Sequence, residues 1–244
     1  MSETKMAESP FARTAAILGD EAMQRLHDAR VAVFGVGGVG GYVVEALVRS
    51  GVGTVDVFDK DDVSITNLNR QIIALHSTVG QDKVSVIAAR MRDINPAVVI
   101  HEHKMFYLPE NADEIDLTVY DFVVDAVDTV AAKIELAVRC EQLGVPLIAA
   151  MGAGNKLDPS KLLISDVYKT SVCPLARAMR NTLRKKGVKH LTVAYSTEEP
   201  VPFPEDGPVI EAENGRHPPA SMAFVPSAMG LLIASHVVRK LTGK

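Results

Sequence analysis

Gly35, Gly37 and Gly40 stand in the spacing G-x-G-x-x-G directly behind the apolar run Ala32-Val33-Phe34, with Gly38 inside the same turn. Glycine lets a backbone approach a phosphate closely. A helix opening behind the turn adds free N–H groups and the positive end of its dipole. Asp59 follows about 20 residues on, at the end of the next apolar run, where a carboxylate can hold ribose hydroxyls. Asp61 stands two positions later. The pattern reads as a dinucleotide-type phosphate site, with a plain strand-to-helix turn as the alternative. No G-K-[ST] follows the glycines, so the site is not a P-loop and its phosphates must be neutralised from elsewhere in the chain.

The segment past Asp59 supplies the means. Arg70 offers a planar fork of donors for phosphate oxygens. Asn67, Asn69 and Gln71 add amide donors, and Lys83 adds a second cation. Any one of these reads equally well as an exposed surface group, since exposed Lys and Arg are common. As a set behind a ribose acid they suit a triphosphate better than a nicotinamide. Asp125 and Asp128 close the apolar run 122–126, and ligands of open α/β sheets bind outside the carboxyl ends of strands. Asp128 could hold Mg²⁺ against a triphosphate and could cap a helix beginning at Thr129, and the two roles are not exclusive. The expected cofactors are ATP and Mg²⁺.

Positioning these groups requires alternating strands and helices. The pattern predicts a helix from Arg13 to about Arg30, a strand to Gly35, a helix behind the glycines to Gly51, and a strand Thr54–Asp59. A helix Asp82–Asn95, stopped by Pro96, precedes a strand Val98–His103. Further strands are expected near residues 122–126 and 145–151, with a helix Thr129–Leu143 between them. The alternation predicts a Rossmann-like, doubly wound, mainly parallel α/β sheet with an irregular C-terminal extension. In that extension, strands are expected over Leu162–Tyr168 and Leu191–Ser196, and a basic helix over Cys173–Lys186. The proline-rich stretch Pro200–Pro219 is expected to be a loop or lid. Residues 1–244 form one expected domain: an N-terminal arm (1–30), a nucleotide-binding core (31–155) and a substrate- and dimer-side extension (156–244).

Composition narrows the class. With 47% hydrophobic and 23% charged residues the chain has a soluble, globular profile. A net charge of −4 gives no global nucleic-acid signature, so a basic patch must be local. Arg177, Arg180, Arg184, Lys185, Lys186 and Lys189 form such a cluster, as an RNA-phosphate contact or a solvated helix face. Arg177, Arg180 and Arg184 share one helical face. The two cysteines, Cys140 and Cys173, form no CxxC pair, which excludes a thiolate zinc site and leaves no disulfide framework. Cys173 could carry a thioester, but no histidine beside it in sequence activates it, which favours a plain loop thiol. The apolar stretch Met222–Val238 contains Pro226, Ser227, Ser235 and His236, and reads as a buried C-terminal helix, not a membrane span. With no signal-peptide pattern, cytoplasmic surroundings are expected.

Taken together, GVGGVGG, FDKDDVSITNLNRQ, Gln81-Asp82-Lys83 and DAVDT resemble the E1-like activating enzymes over roughly residues 13–155. The resemblance implies adenylation of a carboxylate by ATP with loss of pyrophosphate. It makes Asp59 the ribose ligand, Arg70 and Lys83 the phosphate cations, and Asp128 the metal-handling aspartate. Arg13 becomes a candidate to reach ATP across a homodimer interface. Two departures matter: the chain lacks the paired CxxC zinc motifs of the sulfur-carrier activators, and it lacks a catalytic-cysteine domain and a ubiquitin-fold domain. The segments Arg13-Thr14, Lys169–Leu175 and Tyr195–Pro200 resemble the branch that acts on the threonylcarbamoyl side chain of adenosine 37 in tRNA. That branch implies activation of the threonyl carboxylate and closure of a ring with release of AMP. A cysteine desulfurase or sulfur acceptor is a candidate partner. The alternatives are adenylation of the C-terminal glycine of a small sulfur-carrier protein, and a nicotinamide dehydrogenase or nucleotide sensor.

Overall fold

Three central strands, Arg30–Phe34, Phe122–Asp125 and Leu147–Ala150, are mainly apolar runs, as parallel strands covered on both faces require. β1 (Arg30–Phe34) and β2 (Thr54–Phe58) are fully buried after their first residue. β4 (Phe122–Asp125) is buried throughout, ending on a carboxylate. With β3 (Val99–His103), β5 (Leu147–Ala150), β6 (Leu162–Asp166) and β7 (Thr192–Ser196) they make one seven-stranded sheet in the order β3-β2-β1-β4-β5-β7-β6. The computed structural model describes residues 9–204 and 219–244. Six strands run parallel, and β6 pairs antiparallel with β7 at the edge. The expected doubly wound, mainly parallel sheet is therefore what forms. Its topological switch point lies between β1 and β4, where the chain turns from building leftward to building rightward.

One expectation is corrected in the N-terminal segment. The predicted single helix 13–30 is two helices, α1 (Ala12–Leu18) and α2 (Asp20–Asp28), broken at Gly19. Gly19 has φ +83°, a region that side-chain-bearing residues avoid, so the helical ladder cannot run through it. The other helices follow the apolar periodicity. They are α3 (Gly40–Ser50), α4 (Lys83–Ile94), α5 (Val130–Leu143), α6 (Pro174–Lys185) and α7 (Phe224–Thr242). α3 and α5 end on glycines in the left-handed region, Gly51 and Gly144. The strand expected to reach Tyr168 stops at Asp166, whose side chain accepts from the Tyr168 N–H and starts a short 3₁₀ turn.

α7 is long and apolar enough to cross a membrane. It instead packs along α3, with Met229, Ile233, Ala234 and Val237 in the main core. A Cβ on Gly230 would lie 2.4 Å from the Val39 carbonyl oxygen, so the two helices meet at glycine contact. In the expected loop, residues 201–204 and 219–220 have no regular structure, and the stretch between them lies outside the described residues.

Candidate active site

The carboxyl ends of β1, β2 and β4 converge at the switch point, where open α/β sheets bind ligands. A cavity of about 390 Å³ opens there, within the range of about 300–1,000 Å³ usual for small-molecule sites. Its floor is an aromatic column: Phe34 stacks on Phe58 at 4.2 Å between centroids, and Tyr107 meets Phe34 edge-on at 4.9 Å. Met105 and Phe106 form a side wall, and Lys60 holds its ammonium 4.0 Å from the Phe106 ring centre. These groups make an apolar, π-rich compartment suited to a base.

The glycine turn forms the opposite wall. Gly35 has φ +85°, and a Cβ on it would lie 2.7 Å from the Ala126 carbonyl oxygen. A Cβ on Gly40 would come to 1.8 Å from the Gly35 carbonyl oxygen, so Gly40 sets how closely α3 docks on β1. Gly37 differs, because a Cβ there would make only ordinary contact with Gln71. What the bare Gly37 leaves open is the cavity. Gly35, Gly37 and Gly38 line it, while Gly40 lies behind them in the helix.

Asp59 is anchored for its expected role. Its Oδ2 accepts from the Val36 N–H at 2.9 Å, and its Oδ1 accepts from the Asp61 N–H at 2.9 Å. Each oxygen keeps acceptor capacity for a hydroxyl. Lys83 is buried with its ammonium 3.0 Å from Asp61 Oδ2 and 3.9 Å from Asp59 Oδ1. It lines the cavity, but its charge is shared with both acids. Arg70 is the freer cation: among the described residues its guanidinium donates only to the Thr66 carbonyl (2.8 Å) and to Asn69 Oδ1 (3.0 Å). Burial pulls its pKa below the usual arginine value without threatening its charge, and a desolvated, unpaired guanidinium facing a cavity is primed for an anion. Gln71 also lines the cavity, and its buried Oε1 has no partner among the described residues.

Besides Gly40, three residues predicted for the site do not line this cavity. Asn67 is buried in a capping box, its Oδ1 accepting from the Ser64 N–H at 3.1 Å. Asn69 stands behind Arg70 and donates from Nδ2 to the Ser221 carbonyl at 2.9 Å. Arg13 is exposed on α1.

Asp128 lies exposed at the rim, and the only bond to its carboxylate among the described residues comes from Thr129 Oγ1 at 3.3 Å. Thr129 is the N-cap of α5 and no side chain caps that helix, so the capping role for Asp128 does not hold. Asp125 is different. It is fully buried, and its Oδ1 receives Lys133 Nζ at 2.9 Å and the Val127 N–H at 3.2 Å. Burial pushes its pKa up, against the pull of Lys133. Among the described residues no group of three or more His, Cys, Asp and Glu side chains could hold a metal alone.

The aromatic floor, Lys60, Phe106 and Tyr107 were not read from the sequence. Their one signal was position, on the residues just past a strand at the sheet's carboxyl edge. Cys173 is buried in the second core cluster beside Met151 and Ala176, which agrees with a plain thiol.

A family model described as the ThiF family matches residues 11–244. The chain belongs to the ThiF family. Within that family it is 44% identical to the tRNA threonylcarbamoyladenosine dehydratase of Bacillus subtilis over 95% of this chain and 94% of that protein. Crystal structures of the Escherichia coli tRNA N6-threonylcarbamoyladenosine dehydratase superpose throughout. The complex with AMP gives a TM-score of 0.87 at 33% identity, covering 99% of this chain and 96% of that one. The complex with ATP gives 0.85 at 32%, with the same coverage. The sulfur carrier protein adenylyltransferase of Thermus thermophilus is 38% identical, over only 54% of this chain and 48% of that protein. The resemblance to E1-like activating enzymes and the Rossmann-like reading are thus both borne out.

Proposed function

We propose that this ThiF-family chain is an ATP-dependent dehydratase of N6-threonylcarbamoyladenosine at position 37 of tRNA. The observation that carries this is the extent of similarity. The dehydratases match along essentially the whole chain, including residues 156–244, which we assign to the substrate and dimer side. The sulfur-carrier enzyme matches little more than half of it. Similarity along the whole chain to one group and along about half of it to the other speaks for shared ATP chemistry and a different acceptor. It disfavours adenylation of a sulfur-carrier protein.

The chemistry follows from the cavity. A carboxylate is a poor electrophile, and its attack on the α-phosphorus of ATP expels pyrophosphate and leaves an acyl-adenylate. Attack on the activated carbonyl from within the same side chain then closes the ring and expels AMP. The net result is loss of one water from the nucleoside. Catalysis of this kind is mainly positioning and charge neutralisation. The aromatic floor and Phe106 hold adenine, Asp59 the ribose, and the Gly37 backbone with Arg70 and Gln71 the phosphates. A single carboxylate supplemented by phosphate oxygens suits Mg²⁺, which seldom uses an all-protein cage. Asp128 would hold the ion, and bound with ATP it supplies neutralisation of the phosphate charge.

Arg13 lies outside the cavity of its own chain, and α1 buries no residue, leaving Ile17 82% exposed. Both features support a homodimer in which Arg13 serves the neighbouring site. On this reading the protein works in the cytoplasm, where its tRNA substrate is.

The test is AMP release from ATP with tRNA carrying the threonylcarbamoyl group, against the same tRNA lacking it, with mass analysis of the digested nucleosides. AMP formed only with the modified tRNA, with loss of one water from the nucleoside, is expected. AMP release with a sulfur-carrier protein and with neither tRNA would overturn the assignment.

A further inference from the structure

A buried ion pair lies directly beneath the loop that carries Asp128. Lys133, on the first turns of α5, and Asp125, at the end of β4, both have side chains closed to solvent. The Lys133 ammonium donates to Asp125 Oδ1 at 2.9 Å and to the Val127 carbonyl at 3.1 Å. The same Asp125 oxygen accepts from the Val127 N–H at 3.2 Å. Both polar groups of one residue are therefore clamped by one charge pair. That residue and its neighbours, Ala126 and Asp128, line the cavity. From the other side Ala126 and Val127 rest on the glycine turn, within 2.7–3.1 Å of where a Gly35 Cβ would stand.

Two buried charges are a poor way to gain stability, since desolvation takes back most of their attraction. Asp125 Oδ2 is even left without a partner among the described residues. What the pair does secure is one conformation for the 126–128 loop. We infer that Lys133 is a positioning residue for the adenylation step, fixing the Asp128 carboxylate through the Val127 peptide. This rests on the reading of Asp128 given above.

The test uses four proteins: wild type, Asp128→Asn, Lys133→Met, and Asp125→Leu with Lys133→Met. The double variant removes both charges, so no unpaired charge remains buried, and it carries the test if Lys133→Met alone fails to fold. Thermal midpoint, KM for ATP and kcat for AMP release are measured for each. For the double variant we expect a midpoint near that of the wild type, a KM within about threefold because the glycine turn and Asp59 are untouched, and a kcat about 100-fold lower. A purely structural pair would move the midpoint and leave kcat alone. Wild-type kcat in the folded double variant, with Asp128→Asn inactive, would overturn the role of Lys133. Wild-type kcat in Asp128→Asn would instead overturn the reading of Asp128.

Discussion

Three glycines of one motif do three different physical jobs, and single methyl groups can separate them. Gly40 is needed by the fold, because a Cβ there would sit 1.8 Å from a backbone oxygen that cannot swing away. Gly40→Ala should push α3 off β1 and cost about 3 kcal/mol or more, the upper range for overpacking. At Gly37 a Cβ meets the end of a Gln71 side chain at 3.6 Å, and the backbone is outside the left-handed region. Gly37→Ala should therefore leave stability within about 1 kcal/mol, with a gain as plausible as a loss because alanine restrains the unfolded chain. Its methyl group would stand where phosphate oxygens must approach the backbone, and KM for ATP should rise about tenfold or more. Thermal melts alongside AMP-release kinetics check both variants. Normal ATP kinetics in a folded Gly37→Ala protein would mean the turn is not the phosphate cradle.

At the level of elements, the first three strands are tied at their sides by one carboxylate. Asp56, in the middle of β2, is closed to solvent and takes hydrogen bonds from Arg30 on β1 and contacts from His101 and His103 on β3. Burial opposes its charge, but these partners outweigh that and hold its pKa down at about 2. A carboxylate depressed in the folded state stabilises the fold above its unfolded value of about 3.9 and loses that contribution as pH falls towards 2. The contribution is about 2 kcal/mol. Asp56→Asn should lower stability at neutral pH and flatten the acid limb of the stability curve between pH 4 and 2. Parallel acid limbs in the two proteins would show that Asp56 does not carry it. None of this network was visible in the sequence, since residues 26 and 45 positions apart meet only through strand register. The β1–turn–α3 unit was legible because its signals are local: a continuous apolar run, glycines at fixed spacing, then helical periodicity. The break at Gly19 was missed because one glycine inside a helical pattern is usually tolerated. Arg70 and Asp128 were legible from sequence position relative to strands. The capping role of Asn67 and the aromatic compartment at Phe106 and Tyr107 depend on how a long loop folds back, which no short-range pattern encodes.

Over the whole molecule, charge is divided in a way the net value of −4 conceals. α6 begins beside the cavity: Cys173 Sγ lies 3.9 Å from where a Gly152 Cβ would stand, and Ala153 and Gly154 line the site. The helix then runs outward for about 18 Å. Arg177, Arg184, Lys185, Lys186 and Lys189 are exposed along and just past it, and none pairs with a carboxylate among the described residues. Arg180 departs from the shared face expected of it, turning in to donate to the Thr170 carbonyl at 2.9 Å. Arg184 lies 5.6 Å from the Tyr168 ring centre and keeps its charge available. A line of unpaired cations leading from an ATP site suits a polyanion that must present one nucleoside there while its backbone lies outside. Replacing Arg177, Arg184 and Lys185 by Gln should raise KM for tRNA about tenfold or more near 0.15 M salt. The salt dependence of tRNA affinity should also weaken, by about 2 to 3 in the slope of log K against log salt, because three fewer phosphate contacts release fewer counterions. KM for ATP should stay within about twofold, since none of the three lines the cavity. An unchanged salt slope would place the tRNA backbone on another face and leave α6 as a solvated surface helix.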